Sequence, residues 1–105
     1  MNISNNTSKT SRPVQVGLVG YGWWGKIIAK QIATSGHLKL LAIVEVDEGL
    51  RQQMASDPFL KDIQVLSSFD EFLKISELEA VILCTPHLQH ADQIVHAAQA
   101  GKHVF

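Results

Sequence analysis

Gly20-Tyr21-Gly22-Trp23-Trp24-Gly25 has the spacing G-x-G-x-x-G, directly after the apolar run Val14-Gln15-Val16-Gly17-Leu18-Val19. The chemistry open to such a turn is diphosphate binding. Gly20 permits the tight turn, Gly22 offers no side chain to hold a pyrophosphate away, and Gly25 lets the following helix approach the strand. The free amides at the helix start, Trp23 among them, and the positive end of its dipole then attract the anion. Glu45 stands twenty residues after Gly25, where a strand-end carboxylate accepts hydrogen bonds from the ribose hydroxyls of an adenosine. It would repel a 2′-phosphate by roughly 4 kcal/mol per charge pair at 4 Å and an effective dielectric of 20, before screening and relaxation. The pair therefore points to NAD in preference to NADP, although Arg51 lies close enough in sequence to offer a phosphate a cation. A purely structural glycine turn and an exposed acid closing a strand would show the same residues, and another adenine-containing ligand such as coenzyme A would not call on Glu45.

Other side chains invite chemistry less firmly. Cys84, His87 and His90 form C-x-x-H-x-x-H, but His96 falls on roughly the opposite side of the same helix and a full metal shell needs a further ligand. No metal site is assigned. Cys84 lacks a positioned base to act as a nucleophile. Ser67 and Phe69 follow the third apolar run, where an adenine is often flanked. The side chains of Trp23 and Trp24 read as packing groups, Trp24 against Ile28, while His37, His96, His103 and Lys102 read as surface or structural residues.

The elements that must position these groups alternate regularly. Helical spacing of Trp24, Ile27, Ile28 and Ile32 predicts a helix over 24–35, closed by Gly36. Leu38 to Val44 is a second strand, and Asp47 caps a helix over 48–56 that Asp57-Pro58 ends. Strands follow at Ile63 to Leu66 and Ala80 to Cys84; between them Ser68 and Glu71 stand as a capping box for a short helix through Lys74. Thr85-Pro86 opens a helix that runs to Ala100 and stops at Gly101, and Lys102 to Phe105 begins a fifth strand. Continuous apolar strands separated by helices predict an α/β fold, a doubly wound parallel sheet of Rossmann type in the order 3-2-1-4-5. Cys84-Thr85-Pro86 then lies at the carboxyl end of a central strand, beside the crevice where ligands bind such sheets.

Composition bounds the rest. The 105 residues, 46% hydrophobic, suffice for one domain with a real core, expected over 13–105 behind a polar tail over 1–12. Nine Lys and Arg against ten Asp and Glu offer no basic field for nucleic acid or a membrane surface, so neither is expected as a partner. One cysteine makes no internal disulfide and no apolar run approaches a bilayer span, which together predict a cytoplasmic protein. A terminal carboxylate in a strand barely begun suggests the front part of something longer.

The run from Val16 to Gly25, Ala42-Ile43-Val44-Glu45, Thr85-Pro86 with His90 four residues on, and Ala100-Gly101-Lys102-His103-Val104-Phe105 resemble the N-terminal domain of the Gfo/Idh/MocA oxidoreductases. The resemblance extends from about Val14 to Phe105. It implies an NAD(P)-binding Rossmann domain that carries Gly20, Tyr21, Gly22, Trp23, Trp24, Gly25 and Glu45 at the cofactor. It further implies Thr85 and Pro86 near the nicotinamide-side ribose, and His90 at the cofactor or substrate edge. In that family a C-terminal domain supplies most of the substrate site and the oligomer interface, and the substrates are sugars, inositols and related polyols. The family's Glu-Lys-Pro motif would begin after Phe105, so the resemblance assigns cofactor residues but no catalytic ones. The rival expectation is a stand-alone nucleotide-binding or sensory module without chemistry.

Overall fold

The computed structural model describes residues 12–85 and 87–105, with the side chains of 87–89 outside that description. Pro86, the side chain of His87 and all of the expected tail except Arg12 therefore lie outside the described residues. The strands are β1 (Val14–Val19), β2 (Leu38–Val44), β3 (Gln64–Leu66), β4 (Ala80–Leu83) and β5 (His103–Val104). Between them run α1 (Trp23–Thr34), α2 (Glu48–Ala55), α3 (Phe69–Leu73) and α4 (His87–Gln99), with a 3-10 turn at Pro58–Leu60. All neighbouring strands pair in parallel in the order β3-β2-β1-β4-β5, as the alternating pattern predicts.

The sheet sorts the chain into two apolar layers because successive strand residues point to opposite faces. Val16, Leu18 and Ile43 pack on one face with Ala29 and Ile32 of α1 and Met54 of α2. Val19, Ala42, Val44 and Val81 pack on the other with Phe72 and Leu73 of α3 and Ala97 of α4. Gly17, to which the sequence pattern attaches no role, makes that second layer fit: a Cβ there would lie 2.4 Å from Phe72 Cζ.

Local boundaries depart from the expected ones for identifiable reasons. Helix α1 begins at Trp23 and ends at Thr34; Ser35 turns extended with its N–H on the Ile32 carbonyl. Gly36 does not close it, because only Gly20 and Gly101 among the described glycines adopt positive φ. Gly101, at φ 79°, does end α4, and the Lys102 N–H returns to the Ala97 carbonyl at 3.0 Å. Strand β4 stops one residue before Cys84, whose N–H still donates to the Val19 carbonyl at 2.8 Å. Ser68 Oγ accepts from the Glu71 N–H at 3.3 Å, but the Glu71 carboxylate reaches Lys74 instead of completing the box.

Arg12 is tied to the domain through Glu79, Nη1 to Oε2 at 3.0 Å, and the same carboxylate accepts the Gln15 N–H. These hydrogen bonds, the Arg12 one first, hold Glu79 below the usual carboxylate range. Lys102 Nζ donates to the Ile75 and Leu78 carbonyls at 2.9 and 2.8 Å, pinning the α3–β4 connection against the start of β5. Its role in that connection is structural. Lys102→Met leaves both carbonyls without that donor and is expected to lower unfolding free energy by about 2 kcal/mol, read from urea denaturation. An unchanged midpoint would show that water replaces the ammonium at no cost.

Candidate functional site

At the carboxyl end of β1 the chain turns sharply through Gly20, which sits at φ 96° and donates its N–H to the Val44 carbonyl at 2.9 Å. A Cβ on Gly25 would lie 2.2 Å from the Gly20 carbonyl oxygen, so helix α1 starts in direct backbone contact with the turn. At Gly22 a Cβ would meet nothing within 4 Å. The two glycines thus differ in kind: Gly25 is demanded by the protein, whereas Gly22 faces open space.

Helix α1 also begins differently from its neighbours. Asp47 caps α2 and Ser68 caps α3 with side-chain oxygens, but Gly22 caps α1 without a side-chain hydrogen bond, and no acid occupies its first turn. The amides of Trp23, Trp24 and Gly25 have no acceptor within the helix, and they carry its positive dipole end. An anion is the natural complement of that geometry.

Glu45 closes the other wall. It follows β2 directly, is 8% exposed, and is the only buried charged side chain among the described residues. Its Oε1 accepts the Tyr21 N–H at 2.7 Å and its Oε2 the Asp47 N–H at 3.0 Å. The alternative of an exposed strand-end acid is thereby overturned. Two backbone donors fix the carboxylate from opposite sides, joining the glycine turn to the start of α2, and each oxygen retains a second lone-pair direction for a further donor. Arg51 Nη1 donates to the Glu45 carbonyl oxygen at 2.8 Å, which anchors the guanidinium to backbone.

Glu45 lines a crevice of about 280 Å³ together with Gly20, Gly22, Phe69, Thr85 and Gln93. Thr85 Oγ1 donates to Gln93 Oε1 at 2.6 Å across its β4 side. Gln93 is a lining residue that the sequence reading missed; it lies one helical turn beyond His90, and that i, i+3 relation was the available signal. Ser67 lines a separate hollow at the end of β3, so of the two expected flanking residues only Phe69 enters the crevice. A second cavity, on the β4 side of the turn, is lined by Gly22, Trp23, Trp24, Leu83, Cys84, Thr85 and His90.

Tyr21 does not present its phenol to either space. The side chain is 2% exposed in the layer with Met54 and Leu60, where burial and, secondarily, the Asp57 carboxylate raise its pKa. Tyr21 meets the site through its backbone N–H alone. Trp23 and Trp24 are not packing groups: they are 77% and 54% exposed, with ring centroids 6.0 Å apart. His90 Nε2 donates to the Thr85 carbonyl oxygen, holding the connection into α4. Burial pushes the Cys84 thiol up, so it stays protonated near neutrality and is a poor nucleophile.

An uncapped helix after the central strand, a fixed acid after the next strand and a crevice where the strand order reverses define a nucleotide-binding domain of the Rossmann class. The model of the Gfo/Idh/MocA family, an oxidoreductase family with an NAD-binding Rossmann fold, matches residues 14–105, and the chain belongs to that family. Among solved structures it is similar to scyllo-inositol dehydrogenase from Lactobacillus casei, described with bound NAD(H) and scyllo-inositol. The two are 35% identical with a TM-score of 0.78, over 90% of this chain and 27% of the other. It is 28% identical over 92 residues to inositol 2-dehydrogenase of Rhizobium meliloti, which covers 88% of this chain and 27% of that protein. It is also 24% identical over 94 residues to 2,7-anhydro-N-acetylneuraminate hydratase of Escherichia coli, covering 88% and 23%. The chain thus spans about a quarter of the length of these relatives. Among the described residues no helix is long and apolar enough to cross a membrane.

Proposed function

We propose that this chain is the cofactor-binding part of an oxidoreductase that uses NAD(H) in preference to NADP(H) and acts on a polyol or sugar. The observation that carries the reading is the pinned Glu45 carboxylate beside an uncapped glycine turn. In it, the amides of Trp23, Trp24 and Gly25 hold the diphosphate, Gly22 lets it approach, and Glu45 receives the adenosine ribose hydroxyls on its remaining lone pairs. Phe69 covers the adenine side, while Thr85 and His90 border the other nucleoside. Because both Glu45 oxygens are held by backbone donors, the charge cannot swing aside to admit a 2′-phosphate. Arg51, bound to a carbonyl, does not line the crevice.

When bound, a nicotinamide supplies the hydride acceptor or donor; this chain's own residues bind and orient it. The polyol or sugar assignment rests on the inositol dehydrogenases among the relatives, and the hydratase among them is why turnover needs its own assay. Calorimetric titration is expected to show NADH binding at least about tenfold tighter than NADPH, the remainder of the charge repulsion after screening. Equal affinities would reject the assigned role of Glu45. Turnover is assayed on the whole oxidoreductase, because this chain carries no assigned catalytic residue, and nucleotide binding there without turnover of any polyol would favour a module that binds without chemistry.

A further inference from the structure

The two indoles have no part in diphosphate or adenosine binding, yet they are the largest exposed apolar groups at the site. Trp23 and Trp24 stand side by side, ring centroids 6.0 Å apart with planes tilted by 31°. Two adjacent aromatic rings left 77% and 54% exposed in the first turn of α1 form an apolar surface of the kind that marks a ligand contact. The cavity they line, about 540 Å³, shares Gly22, Cys84 and Thr85 with the crevice that holds Glu45, but lies toward β4 instead of β2. β1 sits between those two strands. A dinucleotide whose diphosphate rests on the amides of α1 and whose adenosine runs toward Glu45 must send its second nucleoside the opposite way, into the tryptophan-lined space.

From this placement we infer that the Trp23 and Trp24 side chains form an aromatic wall for the nicotinamide ring and make the site favour the oxidised over the reduced cofactor. The inference rests on the dinucleotide reading above. The oxidised ring is a planar cation and the reduced ring is neutral. An indole face carries negative quadrupole density and attracts a cation set against it, most strongly where water is excluded. Among the described residues no carboxylate lines this cavity, whose other described walls are Gly22, Leu83, Cys84, Thr85 and His90. Among the described lining groups, the indoles are therefore those whose attraction changes most between the two redox states.

The test compares NAD+, NADH and ADP-ribose, which lacks the nicotinamide, on the 105-residue chain and on a Trp23→Leu/Trp24→Leu variant checked for folding by circular dichroism. Leucine keeps the surface apolar and the backbone amides in place but removes the π faces. The NAD+ to NADH affinity ratio is expected to fall by roughly twofold to fivefold in the variant, the effect of one cation–π contact, and the NAD+ to ADP-ribose ratio to fall with it. Equal losses for all three ligands, or none, would overturn the inference while leaving the cofactor reading intact. Failure of the unmodified chain to bind ADP-ribose would instead overturn the cofactor reading itself. A second measurement needs no variant: Trp23 and Trp24 are the only tryptophans of the chain, so its intrinsic fluorescence reports this wall. NAD+ is expected to perturb that emission more than ADP-ribose does at saturation, and equal perturbation would place the nicotinamide elsewhere.

Discussion

Gly25→Ala is expected to cost about 3 kcal/mol of unfolding free energy and to abolish nucleotide binding, whereas Gly22→Ala leaves stability nearly unchanged and still impairs binding. The difference follows from what each new methyl would meet. At Gly25 it would lie 2.2 Å from the Gly20 carbonyl oxygen, which is backbone and cannot rotate away. Helix α1 would have to move off the turn, drawing Ala29 and Ile32 out of the layer they share with Val16 and Leu18. At Gly22 the methyl would meet no protein atom within 4 Å, and the backbone there, at φ −73° and ψ −159°, is open to alanine. Its effect on stability should stay within about 0.5 kcal/mol. What it would obstruct is the approach of a phosphate to the α1 amides. Urea denaturation and NADH titration of both variants separate the two roles, and a Gly22→Ala chain that binds NADH as well as the unmodified one would leave the turn purely structural.

Glu45→Gln carries the next largest expected effect. The carboxylate accepts from Tyr21 and Asp47 on its two oxygens, so both backbone donors face an acceptor. A glutamine amide offers one oxygen and one NH2, and the second donor would then confront a donor. Loss of one such charge-assisted bond at a site 8% exposed is expected to cost about 2 kcal/mol. Removing the charge also removes the repulsion of a 2′-phosphate, so the NADH to NADPH affinity ratio should narrow toward one even as both bind more weakly. A stability loss with an unchanged ratio would confine Glu45 to holding the turn.

The two expectations draw on different kinds of information. Largely apolar runs at Val14 to Val19, Leu38 to Val44 and Ala80 to Cys84, separated by helical spacing, already argued for parallel strands covered on both sides. Handedness of the crossovers then left the observed order. The capping oxygens of Asp47 and Ser68 and the left-handed Gly101 were likewise legible, because each acts on residues within one turn of itself. So was the constellation of Gly20, Gly22, Gly25 and Glu45, since its spacing reflects a single strand-turn-helix-strand unit. Gly36 misled because an extended Ser35 ends α1 before a left-handed residue is needed.

Tertiary structure alone decided which way the side chains between these landmarks face. Tyr21 and Trp23 stand two residues apart in the same turn, yet the phenol enters the core and the indole meets solvent. Local pattern cannot separate them, because the choice depends on the space left by Met54 and Leu60 arriving from another helix. The burial of Glu45, the Thr85–Gln93 hydrogen bond and the fit of Phe72 against Gly17 have the same origin. Periodicity in a sequence records which face of an element is apolar; contacts between elements distant in the chain are set only when the sheet twists them together and their atoms compete for one volume.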